Sequence, residues 1–173
     1  MKKMLIMLLV AIMALSATAF AATYNHDNDI TFEYDEKNLE ITSEEHKDDE
    51  DRIILGFKNK AWGDGYITIQ YQELPDDEID SYYPTWEEIA ENLGTEALEN
   101  LPTWGNYTDV ITASTTTEGL TETTFIAPVF DDDGKHANML TVVIGTTELD
   151  DKDAAMARDD AISAVVDTLK IDD

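Results

Sequence analysis

The chain has 173 residues, 38 of them acidic against 11 basic, for a formal net charge of −27; 43% are hydrophobic and none is cysteine. The length suits one globular domain with a core of its own. So negative a surface repels phosphate backbones and anionic headgroups, which excludes nucleic acid and acidic membranes as partners. Without cysteine there is no disulfide, thiolate nucleophile or cysteine-ligated metal.

Residues 1–21 read as a secretory signal peptide. Lys2 and Lys3 form a basic start, Met4 to Leu15 is unbroken apolar chain, and Ala19-Phe20-Ala21 offers small residues at a cleavage site. The apolar stretch is shorter than the roughly 20 residues of a spanning helix. Cleavage after Ala21 is expected to release a single acidic domain, 22–173. With no cysteine for a lipid anchor, its expected address is a bacterial periplasm or the medium.

The mature chain opens with a polar lead from Ala22 to Asp29. Ile30, Phe32 and Tyr34 then alternate with Thr31 and Glu33, and after the turn Asp35–Asn38 the alternation resumes at Leu39 and Ile41, which predicts a hairpin. Glu44 to Asp51 holds six acidic residues in eight and reads as a solvated loop. Arg52 to Phe57 is nearly continuous apolar chain, as in a central strand covered on both faces. Asn59 to Gly65 supplies a turn, and Tyr66 to Glu73 alternates with Ile67, Ile69 and Tyr71 on one side.

Thr85-Trp86-Glu87-Glu88 is a capping box, and Trp86, Ile89, Ala90, Leu93, Ala97 and Leu101 recur at helical spacing before Pro102. Strand-like runs follow over Tyr107–Ser114, Leu120–Phe130 and Met139–Gly145. Asp150 to Asp153 begin a last helix with Ala155, Ile162, Val165, Val166 and Leu169 as its apolar stripe, and the acidic first turn suits the helix dipole. Short links between strands require a mainly antiparallel sheet. The double-sided apolar runs require helices on both of its faces. The predicted fold is therefore α+β, with about six or seven strands sandwiched between helices.

This order resembles the PsbP-like family of exported proteins, through the Ile30-Thr-Phe-Glu-Tyr34 opening, the capped mid-chain helix, the long hairpin before the last strand and the closing helix from Ile162 to Leu169. The resemblance implies an antiparallel sheet between helices and a mostly non-catalytic binding or assembly role.

Little in the sequence supports catalysis. His26, His46 and His136 fall in polar lead, acidic run and turn, and read as surface histidines. Ser43, Ser81, Ser114 and Ser163 lack the Gly-x-Ser-x-Gly setting of a nucleophile elbow, and no phosphate-cradling glycine pattern occurs. Carboxylate pairs for a hydrolase are too abundant to be informative. Asp131, Asp132 and Asp133 offer hard oxygen ligands that suit calcium, as do Asp150, Asp151 and Asp153. Trp62, Tyr82, Tyr83, Trp104 and Tyr107 lie in or beside predicted loops, where rings serve recognition. An aromatic-walled groove with acidic rims would favour a cationic or amphipathic partner. The leading expectation is an exported, soluble, non-catalytic binding or assembly module; the alternatives are a carboxylate-based hydrolase and a calcium- or other divalent-cation-binding envelope protein.

Overall fold

The structure is a computed structural model, and it describes residues 21–26, 30–73, 104–107, 110–130 and 137–171. The helix expected over 84–101 lies outside them. Nine strands are described: β1 (Ala21–His26), β2 (Ile30–Asp35), β3 (Leu39–Lys47), β4 (Glu50–Phe57), β5 (Gly65–Gln72), β6 (Ile111–Thr117), β7 (Leu120–Phe130), β8 (Ala137–Thr147) and β9 (Lys170–Ile171). A 3-10 turn, Lys60–Trp62, separates β4 from β5, and one α-helix, α1 (Lys152–Thr168), precedes β9.

All pairings between strands are antiparallel, and they divide into two sheets, β1-β2-β9 and β3-β4-β5-β8-β7-β6. This corrects the expected architecture: the described residues form two β-sheets and one helix, rather than one sheet between helices. The physical reason lies in the burial period. In β4 only Ile53 and Leu55 are fully buried while Ile54 is half-exposed, so a run that looked apolar on both sides has one inward face. That face is covered by the smaller sheet and α1 together. The core joins Ile30 and Phe32 of β2, Ile67, Ile69, Leu140 and Val142 of the large sheet, and Ile162, Val165 and Val166 of α1.

Three local expectations also change. The polar lead is β1, in which Tyr24 points inward and pairs with Phe32. The turn at Asp35–Asn38 forms, with Asp35 Oδ1 accepting from the Lys37 N–H at 3.0 Å. It carries the chain from one sheet to the other, however, so β2 and β3 are not a hairpin: β2 pairs with β1 and β9, β3 with β4. The acidic run, expected as a loop, is the end of the β3–β4 hairpin. There Lys47 Nζ lies 3.8 Å from Glu45 and 4.0 Å from Glu50, which relieves part of the like-charge repulsion.

The closing helix follows the expected stripe. Asp151 caps it, its Oδ1 accepting from the N–H groups of Asp153 at 3.0 Å and Ala154 at 3.1 Å. At the other end Thr168 Oγ1 accepts from the Glu33 N–H at 2.8 Å, fastening the helix to β2. The stripe contains one residue that apolar spacing cannot reveal. Arg158 is 8% exposed, and its Nη1 donates to the Thr147 carbonyl at 2.7 Å, joining helix to β8.

Candidate functional site

α1 and the inward face of β7 and β8 enclose a groove of about 370 Å³. Thr123 and Ile144 face each other in register, with Phe125 one step along β7, and they form its sheet side. On the helix, Ile162 and Val166 form the floor, while Asp159, Ser163 and Asp167 follow one another at intervals of four and so line a single edge.

Trp104 forms the end wall. Its placement depends on a tight turn in which Trp104 and Tyr107 exchange backbone hydrogen bonds of 2.9 and 3.0 Å. Gly105 lies within that turn at φ +57°, and a Cβ there would stand 2.7 Å from the Val166 carbonyl oxygen. Only glycine lets this turn approach the helix. Asn106 Nδ2 donates to the Leu169 carbonyl at 3.2 Å and completes the attachment. Trp104 is thereby held parallel to Phe125, ring centroids 4.2 Å apart. Asp159 is well exposed and accepts from Arg158 Nε at 3.2 Å, so one carboxylate of the edge is partly neutralised.

A second grouping stands at the end of the gap between the two sheets. In β3 the register with β4 shifts between Ile41 and Ser43, leaving Thr42 as the extra residue of a bulge. A shift of one residue exchanges the faces. Glu44 and His46 therefore turn inward opposite Ile53 and Asp51, while Glu45 and Lys47 turn to the other face. From the smaller sheet, Tyr24 and His26 point the same way at a spacing of two. The His26 and His46 rings stack at 3.5 Å with 6° between their planes. His46 Nδ1 is 2.7 Å from Asp51 Oδ1, and Nε2 is 3.9 Å from Glu44 Oε2. Behind them the Tyr24 hydroxyl is buried, with no hydrogen-bond partner among the described residues. Burial first, then the charges of Glu44 and Asp51, push its phenol up to about 12.

Of the aromatic residues singled out in the sequence, Trp104 and Tyr107 are half-buried beside the groove. Trp62 is elsewhere and is not a surface ring: it is 2% exposed and meets Phe57 edge to face, with centroids 5.9 Å apart. A 3-10 turn that folds back on the sheet buries what a loop would expose. Tyr82, Tyr83, Asp131, Asp132, Asp133 and His136 lie outside the described residues. Sequence reading missed the helical edge of the groove and the histidine pair. The period of two from Tyr24 to His26 was an available signal, whereas the bulge that turns His46 inward left none.

Compared with known proteins, the chain matches no family model, no curated protein and no solved structure. The described residues form a two-sheet antiparallel β architecture closed by one helix, with an aromatic and acidic cleft under that helix. Among the described residues no helix is long and apolar enough to cross a membrane.

Proposed function

We propose that this is an exported, non-catalytic binding module whose groove takes a cationic ligand with an apolar body, free or as part of a basic protein segment. The observation that carries the reading is the pairing of the stacked Trp104 and Phe125 wall with the Asp159–Asp167 edge around one cavity. An aromatic face attracts a cation, and nearby carboxylates add to the attraction. The net charge of −27 steers positive ligands toward the surface. Export is supported by the basic start, apolar run and Ala19-Phe20-Ala21 site of the first 21 residues.

The same edge argues for binding over hydrolysis. Asp159 and Asp167 are eight residues apart on one helix, about 12 Å along its axis. Carboxylates that share a glycosidic bond face each other about 5 to 9.5 Å apart. Calorimetric titration of the purified protein with spermidine, with a Lys/Leu amphipathic peptide and with a neutral diol separates the cases. One of the two cations should bind, more weakly in high salt, while the diol should not. Trp104→Ala or the pair Asp159→Asn with Asp167→Asn should weaken binding about tenfold, in line with one lost cation–π contact. Failure of both cations to bind, or unchanged binding in the Asp variants, would overturn the reading.

A further inference from the structure

We propose that His26, His46 and Asp51 form a binding site for a divalent transition-metal ion of the zinc type, at the end of the gap between the two sheets. One ligand atom from each of the three lies within 4.8 Å of the other two. The site is distinct from the groove under α1 and independent of what that groove binds.

The donor set selects the ion. Two imidazole nitrogens and a carboxylate suit zinc and its neighbours in the first transition row, while calcium and magnesium take oxygen donors almost alone. Tetrahedral zinc, with bonds of about 2.0 Å, sets its ligand atoms about 3.3 Å apart. Closing from 4.8 Å to that spacing needs small side-chain movements. One imidazole must also turn out of the stack, because two parallel rings cannot direct in-plane lone pairs at one ion. His46, on the exposed edge, has room to turn. Glu44 Oε2, 3.9 Å from His46 Nε2, lies outside this group of three and adds a negative charge beside it.

Two further observations point to a ligand here. Tyr24 is 8% exposed, so its hydroxyl is a buried donor, and among the described residues it has no acceptor. Ligating carboxylates and metal-bound waters take such outer hydrogen bonds, and an orphaned hydroxyl beside Glu44 and Asp51 is otherwise a cost to folding. The second is the sorting of charge by the bulge. It sends Lys47 to the opposite face, and Arg52 pairs in register with Glu45 on that same face. Of its charged and titratable side chains at this end, the hairpin therefore turns carboxylates and an imidazole toward the gap, with Lys47 and Arg52 directed away.

Equilibrium dialysis of the chelator-treated exported protein against zinc, with excess magnesium to saturate surface carboxylates, tests the proposal. One equivalent of zinc should be retained. The double variant His26→Gln and His46→Gln keeps every acidic residue and should lose zinc affinity by more than about 100-fold, beyond what outer-sphere changes cause, while Glu44→Gln should cost about tenfold. In the unaltered protein, zinc should shift the imidazole proton resonances of two histidines and leave His136 in place. This measurement decides the matter if the double variant does not fold. Zinc that magnesium displaces, retention by a folded double variant, or equal shifts at all three histidines would overturn the assignment.

Discussion

The Tyr66 hydroxyl donates to the Glu122 carboxylate across an intervening strand, directly over Gly145. Tyr66 on β5 and Glu122 on β7 both pair with Gly145 on β8, so the three stand in one row on the face of the large sheet that points away from α1. A Cβ at position 145 would lie 2.7 Å from the Tyr66 ring. The missing side chain is what lets the phenol lie flat over β8 and reach the carboxylate.

Gly145→Ala should therefore break a hydrogen bond made by its two cross-strand neighbours, to which residue 145 itself contributes no atom. Displacing the ring costs about 1–3 kcal/mol, the usual range for overpacking. Urea denaturation of Gly145→Ala, Tyr66→Phe and the double variant checks it: the double variant should be less destabilised than the two single effects added together.

The same contact predicts an alkaline transition. The hydrogen bond to Glu122 first, then burial and the carboxylate's charge, push the Tyr66 phenol from 10.0 up to about 12. Unfolded, the phenol ionises near 10, so between these values the folded chain holds more protons than the unfolded one. The contribution is complete below pH 10 and is lost as pH rises toward 12. Urea midpoints taken across that interval should fall less steeply for Tyr66→Phe than for the unaltered protein.

Trp62→Ala should cost about 3–5 kcal/mol, because it empties a buried site under the 3-10 turn. Trp104→Ala removes a half-buried ring whose stacking on Phe125 contributes about 0.5–1.5 kcal/mol beyond its burial, and should cost less. Denaturant melts of the two variants give the order, and the reverse order would mean that the aromatic wall of the groove is the more deeply packed of the two.

Arg158→Met keeps the apolar stem and deletes the guanidinium that meets the Thr147 carbonyl. A lost charged hydrogen bond of this kind is expected to cost about 1.5–3 kcal/mol. Arg158→Ala should cost more, since the buried stem is lost as well. Thermal melts of both variants measure the difference.

Modest sodium chloride should raise the melting temperature, since screening relieves the self-repulsion of a chain carrying a net charge of −27. Calcium chloride at equal ionic strength tests the aspartates at 131–133. A larger, saturable effect that disappears when all three are changed to Asn would mark a calcium site there, and equal shifts would leave only screening.

Local chemistry was legible where a feature depends on neighbours in sequence. Leu120–Phe130 is the strand its alternation indicates, the inward set Ile67, Ile69 and Tyr71 is buried, and Asp151 caps a helix carrying the expected Ile162, Val165 and Val166. The groove was only half legible: Trp104 stood out as a loop aromatic, but its acidic edge looked like any solvated helix face.

What the sequence by itself determined is thus the local period of these strands and the helix, the turns between them, and the strongly negative charge. Which strands pair was decided only in the folded chain. Ile30 pairs with Ile171, and through that contact the first strands leave the large sheet and cover it. Periodicity reports which side of a strand is apolar, but not what covers that side. The bulge at Thr42 shows the limit most sharply: one unpaired residue moves His46 to the face of Asp51, and the energy that selects this register comes from packing across the sheets rather than from residues 42 to 46 themselves.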